Sequence, residues 1–135
     1  MRRPRFDIEI PNCREGVFVP PGFATPEQII ECVQAAERLG YHAVWATDFM
    51  SASPSSGVPS DESPAWYEPI VTLSYAAAVT SRIKLGTGVV VLPYRDPVIL
   101  AKQAATLDRL SQGRFLLGLG LGAWRDEFQA IAAWR

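Results

Sequence analysis

Residues 82–122, RIKLGTGVVVLPYRDPVILAKQAATLDRLSQGRFLLGLGLG, constrain the fold more than any other part of the chain, because two glycine-ended apolar strands flank one helix. A strand–helix–strand unit of this kind joins parallel strands by a right-handed crossover. In open parallel sheets and in closed barrels alike, ligands bind at the carboxyl ends of the strands. Here those ends carry Gly86, Thr87 and Gly88, and then Gly118, Gly120 and Gly122. Glycine at a strand end lets a backbone approach a ligand closely.

The remainder of the chain repeats the alternation. Residues 6–11, FDIEIP, alternate apolar and polar side chains and stop at Pro11, as a short strand should. Thr25-Pro26-Glu27-Gln28 reads as a helix start with a capping box. Ile29, Ile30, Val33, Ala36 and Leu39 then recur at helical spacing up to a Gly40 C-cap. A second strand is expected over Tyr41 to Thr47, delivering Asp48 and Phe49 into a Ser-, Pro- and Gly-rich loop at about residues 51–63. The length of that loop suits an entrance or lid. A second helix is expected from Trp66–Pro69 to Thr80-Ser81, burying Ile70, Leu73, Ala77 and Tyr75.

The third strand, Ile83 to Val91, is a continuous Val-rich run that suits burial on both faces of a parallel sheet. Asp96-Pro97 caps a third helix running to Leu110, Arg114 to Leu119 forms the fourth strand, and a fourth helix starts near Ala123 or Trp124 and runs to the chain end. These units predict an α/β fold, a parallel (β/α)4 half of a TIM (β/α)8 barrel, forming one domain over residues 1–135. Four units make the amino-terminal half of such a barrel, so the expectation is either a truncated product or a homo-oligomer in which a second copy covers the open sheet edges.

Composition narrows the function. At 135 residues with 48% hydrophobic and 20% charged residues the chain is an ordinary globular domain, and no apolar run approaches the roughly 20 residues of a membrane span. A cytoplasmic location is the expectation. Net charge is −1 with Lys and Arg scattered along the sequence, which removes the electrostatic case for nucleic acid. Cys13 and Cys32 have no metal-like spacing, and Cys32 falls on the apolar side of a helix as a free thiol would. His42, the single histidine, starts a strand rather than ending one, so neither a metal site nor a Ser–His–Asp nucleophile is expected.

Gly118 to Ala123 also fits the dinucleotide pattern GxGxxA. That pattern normally occupies the first βα turn and is followed about 20 residues later by an acidic ribose partner. Only 12 residues follow Ala123, so a NAD-dependent Rossmann dehydrogenase stands as the third reading.

The run LGTGVVVLPYRDPVILAKQAATLDRLSQGRFLLGLGLG, with TPEQIIECVQAAERLGYHAVWATDFM upstream and AWRDEF downstream, resembles the bacterial luciferase-like monooxygenase family, most strongly its coenzyme F420-dependent branch. The resemblance implies a flavin- or deazaflavin-dependent oxidoreductase acting on a small-molecule substrate. It would work by hydride transfer with coenzyme F420, or alternatively by monooxygenation with reduced FMN. It implies a non-prolyl cis peptide between Gly88 and Val89 beneath the ring, with Gly86 and Thr87 beside it. Gly118, Gly120 and Gly122 would lie around the cofactor tail, and Asp48 would offer a polar contact or stiffen its loop. Trp45, Phe49, Trp66 and Tyr67 could wall the pocket or belong to the core.

Two positions depart from the family pattern. Phe49 replaces a histidine that many members carry after the aspartate, and phenylalanine can pack against a ring but moves no proton. Ala123 stands where some F420-dependent dehydrogenases have glutamate. Asp126 and Glu127 read as favourable charges in a first helical turn. A non-catalytic half barrel that binds cofactor or dimerises is the alternative.

Overall fold

The computed structural model describes residues 4–12, 25–50 and 66–131, so the entrance loop and Cys13 lie outside the described residues. Strands β1 (Asp7–Glu9), β2 (Ala43–Ala46), β3 (Lys84–Thr87) and β5 (Phe115–Leu116) form one parallel sheet in the order β1-β2-β3-β5. A short second ladder, β4 (Val90–Val91) with β6 (Leu119–Gly120), continues two of those strands beyond a break. Helices α1 (Pro26–Leu39), α2 (Pro69–Ala78), α3 (Pro97–Leu110) and α4 (Arg125–Ala130) follow in alternation.

Register explains where the core lies. Ile8, Val44, Leu85 and Phe115 are opposite one another across the sheet, and successive residues of a strand face opposite sides. This row joins Val33 and Ala36 of α1, Ile70, Leu73 and Ala76 of α2, and Leu100 and Leu107 of α3 in one apolar cluster. The neighbouring row, Glu9, Trp45, Gly86 and Leu116, faces the other side of the sheet.

The helix ends follow the sequence closely. Thr25 accepts from the Gln28 N–H while the Gln28 side chain accepts from the Thr25 N–H, and Gly40 closes α1 at φ 82°. Asp96 accepts from Val98 and Ile99 at the start of α3. α2 uses a less common cap, the Glu68 carboxylate accepting from Val71 N at 2.7 Å.

Two charged side chains fasten the amino-terminal end of the sheet. Glu37, in the last turn of α1, accepts from the backbone N–H groups of Ser81, Arg82 and Ile83. Burial pushes its carboxyl up, but the three donors together outweigh that and bring it down to about 2. The Arg114 guanidinium, 8% exposed, donates to the carbonyls of Ser111, Ile83, Ala77 and Thr80 and to the Thr80 hydroxyl.

Several expectations need correction. Leu39 is 76% exposed and Tyr75 50% exposed, because each lies just outside the arc of its helix that faces the sheet; Ala76 takes the fully buried place in α2. The third and fourth strands are interrupted rather than continuous. Within the break, Thr87 Oγ1 accepts from Gly118 N and donates to Gly118 O, both at 2.9 Å, so a side chain bridges where the ladder lapses. Helix α4 starts at Arg125, two residues beyond Ala123, and ends at Ala130. Cys32 is a free thiol packed against the core, and its burial pushes the thiol pKa up. No helix among the described residues is long and apolar enough to cross a membrane.

Candidate functional site

The carboxyl ends of the strands open onto a cleft of about 380 Å³ whose walls include Phe49, Gly88, Val89, Leu121 and Trp124. Sheet geometry brings these together from three loops: the one after β2, the β3–β4 break, and the turn after β6. Val89 is 41% exposed and Leu121 80% exposed, so the cleft presents apolar side chains to whatever enters. Phe49 is backed by Trp66, with ring centroids 4.3 Å apart. The Gly88–Val89 peptide is cis.

Among the described residues, Asp48 and Glu127 are the charged ones of the cleft lining, which holds no Lys, Arg or His. Asp48 is buried, and its carboxylate is taken up by protein. Oδ2 accepts from Val91 N at 2.8 Å and pairs with Arg95 Nη1, while Oδ1 accepts from Arg95 Nη2 at 2.8 Å. Arg95 extends to Glu68 Oε1 at 3.0 Å, which couples the end of β2 to the cap of α2. Burial works against the Arg95 charge, but the two carboxylates outweigh it and hold its pKa above the ordinary value. Asp48 therefore stiffens its loop through Arg95, and its oxygens have little capacity left for a ligand.

Glu127 is not a solvated first-turn acid. It is 2% exposed, accepts the Tyr94 hydroxyl at 2.6 Å on Oε2, and accepts Met50 N at 3.2 Å on Oε1. Burial, then the hydrogen bond and charge of Glu127, push the Tyr94 phenol well above its usual range. The fold, not the helix macrodipole, gives this acid its place.

Sequence reading also missed Asn12, Tyr94 and Arg95. Asn12 is fully buried: Nδ2 donates to the carbonyls of Thr47 and Tyr67, and Oδ1 accepts from the Thr47 N–H and hydroxyl. It ties the end of β1 to the end of β2. A polar residue directly after a strand-ending proline was the available signal.

The glycines have mostly internal work. A Cβ on Gly118 would come within 2.1 Å of Thr87 O, and one on Gly120 within 2.4 Å of Val89 Cγ2. Gly122, at φ 80°, would bring its Cβ to 2.8 Å from the Phe128 ring. Gly86 makes room for the Trp45 indole, whose Nε1 donates to Asp7. The chain itself fills the space beside these four residues. Gly88 differs, since its Cβ would meet only Trp45 at 3.6 Å, an ordinary contact.

A layer of parallel βα units with an apolar cleft at the strand carboxyl ends defines part of a (β/α)8 barrel. The family model for luciferase-like monooxygenases matches residues 6–132, and the chain belongs to that family. It is 38% identical over 104 residues to limonene 1,2-monooxygenase of Rhodococcus erythropolis, covering 77% of this chain and 24% of that protein. It is 33% identical over 105 residues to the oxygenase component of a flavin-dependent trigonelline monooxygenase of Acinetobacter baylyi, covering 78% and 27%. Among solved structures, the coenzyme F420-dependent tetrahydromethanopterin reductase of Methanopyrus kandleri superposes with a TM-score of 0.67 at 29% identity, covering 95% of this chain and 30% of that one. The chain thus spans about a quarter to a third of the length of these relatives. Its fold is a part of their TIM barrel.

Proposed function

We propose that residues 1–135 form the amino-terminal half barrel of a flavin- or deazaflavin-dependent oxidoreductase, a single luciferase-like domain acting on a small-molecule substrate. Coenzyme F420 is the preferred partner and FMN the alternative; an F420-dependent and a flavin-dependent relative support the pair. The observation that carries the reading is the cleft itself, apolar along Val89, Leu121 and Trp124 and placed where the strands end.

The residues present fit the ring of such a cofactor better than its tail. Gly88 and Val89 offer a floor, Gly86 and Thr87 support it from behind, and the Phe49–Trp66 pair offers a wall. Among the described residues nothing cationic lines the cleft to hold a phosphate, and Glu127 would repel one. In (β/α)8 barrels a phosphate commonly sits at the loops after the last two strands, which lie beyond the four units of this chain. Gly118, Gly120 and Gly122 then shape the ring side of the cleft by letting Thr87, Val89 and Phe128 pack where they do.

When bound, the cofactor supplies hydride transfer as F420 or oxygen activation as reduced FMN. This chain's residues bind, orient and shield the ring. Asp48 works through Arg95, which holds Val91 and the cap of α2 in place beside the floor. A cytoplasmic setting belongs to the reading, and the free thiol of Cys32 suits a reducing compartment. So does a second copy covering the sheet edges at β1 and β5.

The test is equilibrium binding of F420 and of FMN to the 135-residue chain by fluorescence, with molecular mass measured in the same sample. Saturable binding that weakens at least tenfold in Gly88→Ala, a change the fold tolerates sterically, supports the reading. No binding to either cofactor sinks it and favours the non-catalytic half barrel.

A further inference from the structure

A second cleft, of about 340 Å³, lies at the opposite end of the sheet, where β1, β2 and β3 begin. Arg5, His42, Arg82 and Lys84 line it, together with Phe6 and Glu37. These basic residues are far apart in sequence and adjacent in space. His42 N donates to Phe6 O at 2.7 Å and Lys84 N donates to His42 O at 3.1 Å, which sets the three strand starts side by side. Lys84 lies opposite Ala43 in the register, so His42 and Lys84 reach the cleft from alternate sides of the strand starts, and both border it together with Arg5.

The described lining carries a surplus of positive charge, Arg5, Arg82 and Lys84 against one carboxylate. Glu37 is the only carboxylate among the described lining residues; its oxygens accept from three backbone N–H groups, its charge attracts Arg82, and its carbonyl accepts from Arg82 Nη2 at 3.5 Å. The side chains of Arg5 and His42 make no hydrogen bond or ion pair with a described residue. Lys84 spends one donor on Gly113 O at 2.9 Å, leaving two. Three cations around one carboxylate leave a surplus of positive charge that a bound anion would offset.

We propose that this cleft binds a small oxyanion carrying two or more negative charges, with Arg5 and Arg82 as its principal partners. Guanidinium forks suit phosphate and carboxylate oxygens equally, so both chemistries are within the proposal. The site stands apart from the carboxyl-end cleft and does not depend on the cofactor reading.

His42 provides the reporter, since it is the only histidine in the chain. Its imidazole C–H resonances are followed by NMR at fixed pH and fixed ionic strength while pyrophosphate, and separately citrate, is titrated. A saturable displacement with either probe is expected, and the tighter one identifies the source of the oxyanion. Arg5→Gln with Arg82→Gln is expected to raise the dissociation constant at least tenfold, while Gly88→Ala leaves it unchanged. Circular dichroism checks folding; should the double variant unfold, Arg5→Gln alone, at an exposed position ahead of β1, is expected to weaken binding at least threefold. A displacement reproduced by potassium chloride, or one that survives loss of the arginines, overturns the site.

Discussion

Arg95 grips Asp48 with both terminal guanidinium nitrogens, one on each carboxylate oxygen, and the pair is sunk at the end of β2 with Asp48's side chain only 1% exposed. The contact joins two loops that sequence separates by 47 residues. Asp48→Asn leaves Arg95 with Glu68 alone and removes a charged acceptor from Val91. Breaking one side of a buried pair costs roughly 3–5 kcal/mol. Urea unfolding should show a loss of that order with an unchanged slope; a loss under about 1 kcal/mol would mean the pair is solvated.

Gly118 is expected to be the least replaceable glycine of the cleft. Its added Cβ would sit 2.1 Å from Thr87 O, a backbone atom held by the same two residues' mutual hydrogen bonds. Overpacking of this kind costs about 1–3 kcal/mol. Gly118→Ala should therefore unfold well before Gly88→Ala in thermal melts, and equal melting temperatures would contradict the geometry.

Acid stability should depend on Glu37. Its folded carboxyl sits at about 2, below the ordinary value of 4.5, so its contribution is fully present above 4.5 and is lost as pH falls toward 2. The difference in stability between the wild type and Glu37→Gln should shrink across that window. A difference that stayed constant from pH 6 to pH 2 would show that the three backbone donors do not favour the ionised form.

Arg114→Lys keeps the charge and loses the fork. One ammonium group has no means of serving the carbonyls of Ala77, Thr80, Ile83 and Ser111 together. Each buried carbonyl left without a partner costs about 1–3 kcal/mol. A destabilisation of at least about 2 kcal/mol is expected in chemical denaturation. Faster amide exchange should appear where α2 ends and β3 begins, and no local change there would contradict the role.

Local chemistry carried much of the architecture. Thr25 with Gln28, Gly40, and Asp96 with Pro97 set helix ends through contacts within a few residues, and those ends were legible because no distant partner is involved. The βα alternation was legible too, since apolar periodicity reports which face is buried. Leu39 and Tyr75 misled because periodicity is blind to how wide a buried arc the sheet allows. The breaks in β3 and the fourth strand were hidden because the Thr87 side chain, not a change of composition, replaces the ladder there.

The site divides along the same line. That glycines and apolar residues gather at the strand ends could be read along the chain, because both follow from short-range pattern and from the order of βα units. What those residues touch emerges with folding. It turned Gly118 and Gly120 into packing positions, committed Asp48 to Arg95, buried Glu127 under Tyr94 and Met50, and gathered scattered basic residues at the opposite end of the sheet. The hydrogen-bonded partners of Asp48 and Glu127 lie 33 to 77 residues away, and such pairings arise from chain crossover and register, for which a linear pattern carries no signal.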